Sequence, residues 1–206
     1  LGTGGILADD MGLGKTLQVL AHVLDERERH GATAPVLVVC PTSLVANWCT
    51  EAGRFCPDLR VLHLQLPRAQ RAARLEELGS HDLVVTTYAL LVRDLDALAQ
   101  HRFSLLVLDE AQAVKNANSR MALAARQVDA ARRLAITGTP LENHLGELWA
   151  QLDLVAPGFL GSRERFGELF RTPIERRGEI EPLARLRRRI APLLLRRTRD
   201  QVLDEL

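Results

Sequence analysis

A glycine-rich segment near the start of the chain has the residue types of a phosphate-binding loop. It directly follows a predicted strand and opens a predicted helix, and its residues are Asp10, Met11, Gly12, Leu13, Gly14, Lys15 and Thr16. Glycines let backbone N–H groups close on an anion, a lysine binds the β- and γ-phosphate oxygens, and a threonine hydroxyl binds Mg²⁺. The common spacing G-x-x-x-x-G-K-S/T requires glycine at position 9, where this chain has Asp9. The segment therefore predicts a nucleotide-phosphate site with one departure from the general pattern.

Two adjacent carboxylates end another apolar predicted strand. Asp109 and Glu110 follow residues 105–108 and precede Gln112. In nucleotide hydrolysis an aspartate at such a strand end joins the Mg²⁺ shell, and a neighbouring glutamate activates the attacking water. A strand that ends in Asp-Glu is also common as solvated surface. The phosphate loop upstream in the same predicted sheet favours the catalytic interpretation.

A third polar group ends the last predicted strand. Thr137, Gly138 and Thr139 stand where they could bond the carboxylates and move when the γ-phosphate leaves. We interpret them as a coupling segment. The alternative is an ordinary strand-to-helix turn that is capped by Asn143.

Short apolar runs alternate with longer segments of helical periodicity, and these elements position the three polar groups. The predicted strands are 5–8, 36–40, 60–64, 82–86, 105–109 and 134–137. The predicted helices between them are 15–30, 43–55, 68–78, 89–100 and 119–128. This alternation predicts an α/β fold with a mostly parallel sheet flanked by helices. Ligands of such folds bind at the carboxyl ends of the strands, where all three polar groups stand.

The pattern changes after position 140. Residues 145–155 predict one more amphipathic helix, and residues 157–206 predict a helical, arginine-rich extension without strand signals. We therefore predict two domains, 1–156 and 157–206. Positions 163 to 200 hold twelve Arg against five Glu and one Asp. A solvated helix face with Glu–Arg pairs is the simpler explanation of this charge, and contact with phosphates is the other.

The composition argues against several classes of protein. The 206 residues are 47% hydrophobic and 26% charged with a net charge of +1, as in a globular domain and unlike a disordered chain. No apolar run is long enough for a membrane helix, so we expect no membrane partner. The three cysteines form no C-x-x-C pair, which argues against a zinc site or a disulfide framework. The chain starts without Met and stops without a helix-ending residue, so we expect it to be a fragment of a longer protein.

The ordered set of motifs resembles the SWI/SNF-type family of helicase superfamily 2. In that family an aspartate stands where other phosphate loops have glycine, so Asp9 becomes an identifying feature. The only two lysines among 27 basic residues, Lys15 and Lys115, fall inside the matching blocks. These blocks cover nearly the whole chain and are DDMGLGKT (9–16), CPTSLVANW (40–48), TTY (86–88), DEAQ with VKN (109–112 and 114–116), TGTPLEN with ELW (137–143 and 147–149), and IAPLLLRRT (190–198).

The resemblance implies the N-terminal RecA-like lobe of an ATP-dependent translocase on double-stranded DNA. ATP and Mg²⁺ are the implied cofactors, with residues 10–16 on the nucleotide and Thr16 and Asp109 on the metal. Lys15, Asp109, Glu110 and Gln112 are the implied catalytic residues. Sequence-independent contacts with the DNA backbone are implied for Pro41, Thr42, Ser43, Thr86 and Thr87.

The same resemblance implies partners and a location. A second RecA-like lobe with an arginine finger would belong to the same parent chain, and a protein–DNA complex would be the object that is remodelled. The preference for Arg over Lys favours a bacterium, and therefore a cytoplasmic, nucleoid-associated protein.

Two departures from the family pattern and two other functions remain open at this point. Gln112 stands where the family usually has His, and the adenine-sensing Gln motif would lie upstream of Leu1. One alternative is a non-catalytic, ATP-gated adaptor that binds DNA or protein, although the intact Lys15, Thr16, Asp109 and Glu110 argue against it. The other is an unrelated phosphate-loop ATPase, such as a ring-forming one, which the TGTP and Asn-Trp blocks disfavour.

Overall fold

A single parallel sheet organises the chain. The computed structural model describes residues 4–31, 34–138 and 145–203. Within them the strand order is β3-β4-β2-β5-β6-β1-β7. The strands are β1 (Gly5–Leu7), β2 (Val36–Cys40), β3 (Val61–His63), β4 (Leu83–Thr87), β5 (Phe103–Asp109), β6 (Ala130–Ile136) and β7 (Leu194–Leu195). Every neighbouring pair is parallel, so the predicted α/β fold with helices flanking a parallel sheet is confirmed.

Helices join the strands and follow the sixth one. They are α1 (Lys15–His30), α2 (Val45–Phe55), α3 (Arg68–Glu76), α4 (Tyr88–Arg93), α5 (Leu95–Leu98), α6 (Arg120–Gln127), α7 (Leu145–Val155), α8 (Arg163–Phe166), α9 (Thr172–Arg177), α10 (Ile180–Ile190) and α11 (Arg199–Leu203). The helix predicted at 89–100 is divided into α4 and α5 at Asp94, whose carboxylate accepts a hydrogen bond of 2.6 Å from buried Arg71. In the described ranges no helix has the length and apolar character to span a membrane.

Side chains of the central strands alternate between two hydrophobic clusters, one on each face of the sheet. Val39 and Leu108 belong to the cluster beneath α4, α6 and α7. Val38 and Val107 belong to the cluster beneath α1 and α2, which contains the fully buried Trp48. Strands that are covered on both faces are expected to be continuously apolar, and this explains the uninterrupted runs in the sequence.

The arginine-rich extension shares its hydrophobic cluster with the rest of the chain. Phe166, Phe170 and Leu186 pack in the same buried cluster as α7. The expectation that this extension lacks strands is wrong at Leu194–Leu195, which forms β7 and pairs with β1 at the edge of the sheet. A two-residue strand between a proline and two arginines is too short to give a periodic signal, so sequence patterns do not reveal it.

Candidate functional site

The predicted functional residues lie at one edge of the sheet. Residues 10–16 follow β1, residues 41–43 follow β2, residues 86–87 end β4, Asp109 ends β5, and residues 137–138 follow β6. Because all of these strands are parallel, their carboxyl ends face the same side. Thr139, the last residue of the predicted coupling segment, lies outside the described residues.

The phosphate loop has the backbone of an anion-binding turn. Gly12 and Gly14 have φ angles of 89° and 67°, in the left-handed region that favours glycine. Gly14 is the N-cap of α1, and no side chain caps the backbone N–H groups there. A helix N-terminus with free N–H groups attracts phosphate. The Lys15 ammonium donates to the carbonyl oxygens of Asp9 (2.7 Å) and Asp10 (3.1 Å), so it lies against the phosphate loop.

Asp9 forms an ion pair with Arg197 in the chain that follows β7. Its carboxylate is fully buried and accepts hydrogen bonds from the Arg197 guanidinium, from the Arg197 backbone N–H (2.9 Å) and from Gln18 Nε2 (3.2 Å). Burial raises the pKa of Asp9, but these bonds outweigh it and hold the pKa below its usual value. Sequence reasoning missed Arg197 and Gln18. The signal in the sequence was Asp9 itself, because a charged residue at a position where phosphate loops usually have glycine needs a partner.

A second arginine of the same segment contacts the loop backbone. Arg199 Nε and an Nη donate to the carbonyl oxygen of Met11 at 3.0 and 2.7 Å. The Arg199 guanidinium also lies 3.0 Å from the place that a Cβ on Gly12 would occupy. The segment after β7 therefore packs directly on the phosphate loop.

Asp109 is buried, and protein donors hold both of its carboxylate oxygens. Oδ2 accepts a 2.8 Å hydrogen bond from Trp48 Nε1, and Oδ1 accepts one of 3.0 Å from the Glu110 backbone N–H. Burial is the main cause that raises the pKa of Asp109 above its ordinary value, while Trp48 and the Lys15 ammonium act in the opposite direction.

The implied Mg²⁺ site requires suitable oxygen donors among the protein side chains. Among the described residues, no group of three or more His, Cys, Asp or Glu could hold a metal ion by itself. Mg²⁺ does not need such a group, because it commonly takes one or two protein oxygens together with phosphate oxygens and water. The Asp109 carboxylate and the Thr16 hydroxyl are donors of this kind, so they fit the implied ion.

A hydrogen-bonded chain joins Glu110 to the end of β6. Gln112 Nε2 donates to Glu110 Oε2 at 2.7 Å, and Thr137 Oγ1 donates to Gln112 Oε1 at 3.3 Å. Glu110 has φ of 53°, and in the described part of the chain no other non-glycine residue has a positive φ. Such backbone strain is frequent at functional sites. A Cβ on Gly138 would lie 3.2 Å from Met11 Cγ, so the coupling segment borders the phosphate loop.

The five predicted DNA contacts fall into two groups. Thr42 and Ser43 are exposed in a 3₁₀ turn, Thr42–Leu44, that leads into α2, and Pro41 beside them is partly exposed. Thr86 and Thr87 are buried, and the Thr87 hydroxyl accepts a hydrogen bond of 3.2 Å from the Leu90 N–H at the start of α4. The first group therefore presents its side chains at the surface, and the second group lies at the buried end of β4.

Comparisons with known proteins agree with this arrangement. The SNF2-related domain model matches residues 1–206. An uncharacterized ATP-dependent helicase of Mycoplasma pneumoniae is 38% identical over 98% of this chain and 19% of its own length. The ISWI chromatin-remodeling complex ATPase CHR11 of Arabidopsis thaliana is 39% identical, again over 98% of this chain and 19% of its own length.

A solved structure extends the comparison to the fold. The Sulfolobus solfataricus SWI2/SNF2 ATPase core in complex with double-stranded DNA superposes with a TM-score of 0.86 and 38% identity, over 96% of this chain and 40% of that one. This chain therefore spans about a fifth of the relatives' length and less than half of the solved core. The motifs, the sheet and these matches agree, and the chain belongs to the SNF2-related domain family.

Proposed function

We propose that this chain is the ATP-binding lobe of a protein that uses ATP hydrolysis to move along double-stranded DNA. One observation carries the proposal. The phosphate loop, the Asp109–Glu110 pair and the exposed turn Thr42–Leu44 all stand at the same edge of one parallel sheet. The double-stranded DNA in the solved relative supports the same partner here.

In this proposal the phosphates of ATP bind at the N-terminus of α1. Lys15 leaves the carbonyl oxygens of Asp9 and Asp10 and turns to the phosphate oxygens, while the glycines keep the loop backbone open to the anion. Thr16 and Asp109 would hold Mg²⁺, which neutralises phosphate charge when it is bound.

Glu110 is the proposed base for the attacking water. Its carboxylate accepts a hydrogen bond from Gln112, which in turn accepts one from Thr137. Gln112 has no titratable charge, so it can orient Glu110 but not exchange a proton. When the γ-phosphate leaves, Thr137 and Gly138 would move and would shift the segment that follows them.

DNA is proposed to contact the turn after β2. Thr42, Ser43 and Pro41 offer hydroxyl groups and backbone without a long side chain, which suits binding to phosphates and not the reading of bases. Thr86 and Thr87, at the end of β4, are proposed to join them. Both side chains are buried, and the Thr87 hydroxyl also caps α4.

The whole protein needs more than this chain. We infer a second RecA-like lobe, an arginine finger on it, and a protein–DNA complex as the object that is remodelled. Homology to a bacterial helicase and the preference for arginine support a nucleoid-associated protein of a bacterial cytoplasm. The intact Lys15 and Glu110 disfavour the alternative of an ATP-gated adaptor without hydrolysis.

The test of this function is Glu110→Gln in the full-length protein. An amide cannot take the proton of water, so we expect DNA-stimulated phosphate release to fall by about 10²–10⁴-fold. Binding of Mg²⁺ with a non-hydrolysable ATP analogue, measured by isothermal titration, should change little. Glu168→Gln, at an exposed carboxylate of the extension, is the matched control. A wild-type protein without DNA-stimulated hydrolysis, or a variant with full turnover, contradicts the proposal.

A further inference from the structure

Two helices that begin near the carboxyl ends of β2 and β4 each donate a hydrogen bond to the same residue. Trp48 of α2 donates to the Asp109 carboxylate at 2.8 Å. Tyr88, the first residue of α4, donates from its hydroxyl to the Asp109 carbonyl oxygen, also at 2.8 Å. Because both donors are buried, water does not compete for these bonds.

The position of Trp48 connects this bond to the exposed turn. The turn Thr42–Leu44 passes directly into α2, and Trp48 lies one helical turn further along. Trp48 is fully buried in the cluster between α1, α2 and the sheet, so its ring cannot rotate without disturbing that cluster. A displacement of the turn therefore moves the indole N–H relative to the carboxylate.

Tyr88 provides the corresponding connection from β4. It follows Thr87 at the strand end, and the Thr87 hydroxyl caps the helix that Tyr88 begins. Its hydroxyl contacts the backbone of Asp109 and not the carboxylate. The two bonds thus fix the backbone and the carboxylate of Asp109 separately.

We propose that Trp48 is a positioning residue that couples DNA contact at the turn Thr42–Leu44 to the metal-binding carboxylate of Asp109, with Tyr88 holding the Asp109 backbone in place. This inference rests on the proposed function, because it takes Asp109 as the Mg²⁺ ligand and the turn as the DNA contact. The indole N–H orients Oδ2 of the Asp109 carboxylate, and the Glu110 backbone N–H holds the other oxygen, Oδ1. Groups that orient a metal ligand from behind it change metal affinity or activity by about 10–100-fold when they are removed.

The test compares Trp48→Phe with Trp149→Phe in the full-length protein. Trp149 is the only other tryptophan of this sequence, and it is also buried. Its indole N–H donates to the Gly161 carbonyl oxygen at 3.1 Å, away from Asp109. Both variants replace an indole by a phenyl ring and remove one indole N–H hydrogen bond. The acceptor that loses its donor is the Asp109 carboxylate in Trp48→Phe and the Gly161 carbonyl oxygen in Trp149→Phe.

The first readout is binding, without turnover. Mn²⁺ takes the place of Mg²⁺, and electron paramagnetic resonance counts the free ion in the presence of a non-hydrolysable ATP analogue, with and without a duplex. In the wild type and in Trp149→Phe, duplex should change the affinity for Mn²⁺ with analogue by about fivefold or more, a usual size for coupling between two sites. In Trp48→Phe this factor should approach one, and the affinity itself should fall by about 10–100-fold.

Reciprocity supplies the second readout. Coupling between two sites acts equally in both directions, so Mn²⁺, added in the presence of the analogue, must change duplex affinity by the same factor in fluorescence anisotropy. Tyr88→Phe should keep the carboxylate bond and lose only part of the coupling. If Trp48→Phe folds poorly, benzothienylalanine at position 48 keeps the ring shape and replaces only the N–H by sulfur.

The outcomes separate the inference from the proposed function. Equal metal affinity and equal coupling in Trp48→Phe and Trp149→Phe overturn the role of Trp48, while the wild type can still hydrolyse ATP when DNA is added. A wild type without DNA-stimulated hydrolysis overturns the proposed function itself, and this inference with it.

Discussion

Asp9 stands where general phosphate loops have glycine, and its surroundings give a physical reason for the exchange. A glycine could not bind Arg197, which brings the chain after β7 against the loop. The carboxylate is fully buried, while the arginine side chain keeps 42% of its exposure. The pair is therefore an anchor at the edge of the site and not an isolated buried charge.

Asp9→Asn should destabilise the fold more than the same change at an exposed pair. The asparagine side chain keeps the shape of aspartate but lacks the negative charge that accepts hydrogen bonds from Arg197. Hydrogen bonds to charged groups contribute about 1.5–3 kcal/mol each to stability. Because Arg197 is partly solvated, we expect a loss of about 1–3 kcal/mol in the free energy of unfolding in urea. Asp25→Asn, in an exposed pair with Arg29, is the control and should change it by less than about 0.5 kcal/mol. Equal losses in the two variants would show that Asp9 is no anchor.

Lys15→Ala should remove most of the affinity for ATP. Loss of one partner from a desolvated charged contact typically costs about 2–5 kcal/mol, so affinity should fall by at least about 30-fold. Isothermal titration with Mg²⁺ and a non-hydrolysable analogue measures it. Lys115→Ala is the matched control, because Lys115 is the other lysine and pairs with Glu147 at 3.2 Å. Undiminished affinity in Lys15→Ala would refute the phosphate-loop assignment.

Residue types and order were enough to predict that residues 10–16 and the Asp109–Glu110 pair lie at one edge of a parallel sheet. These follow from local motifs and from the rule for parallel sheets. The partners of Asp9 and Asp109 were not predictable in this way. Arg197 is 188 positions from Asp9, and Trp48 is 61 positions from Asp109, so only the folded chain brings them together.

At the scale of elements, Asp82 joins three segments at the opposite end of the sheet. It precedes β4, and its buried carboxylate pairs at 2.8 Å with Arg27 of α1 and at 2.7 Å with Arg60 before β3. Sequence periodicity predicted these strands and helices, because each has a buried face. It did not predict this ion pair, since an isolated aspartate at a strand start resembles an ordinary loop residue.

This pair predicts a loss of stability in acid. Burial raises the pKa of Asp82, but Arg60 and Arg27 outweigh it, and the net pKa is lowered. A lowered folded-state pKa means that the stabilisation is fully present above the unfolded value of about 3.9 and disappears as pH falls through the folded value. Asp82→Asn should therefore be less stable than wild type in urea at pH 7, and the difference should shrink below about pH 4. A difference that is constant down to pH 3 would show that the charge of Asp82 does not matter.

At the scale of the whole molecule, the chain after β7 packs against the loop between β1 and α1. Arg197 binds Asp9, and Arg199 binds the carbonyl oxygen of Met11. The proposed function places this segment on the way to the second lobe. A movement of that lobe could then reach the phosphate loop directly, without passing through the core of the sheet.

Hydrolysis should nevertheless require the second lobe. In the proposed mechanism an arginine finger from that lobe neutralises charge on the γ-phosphate in the transition state, and such a finger is worth about 10³–10⁵ in kcat. Arg197 cannot serve as this finger, because it is paired with Asp9, and Arg199 lies on the loop backbone. We therefore expect residues 1–206 to bind ATP but to hydrolyse it near the background rate, with no stimulation by duplex DNA.

Phosphate release is measured at saturating ATP for this chain and for the full-length protein, each with and without duplex. Robust DNA-stimulated turnover by residues 1–206 alone would show that one lobe is sufficient and would refute the two-lobe mechanism.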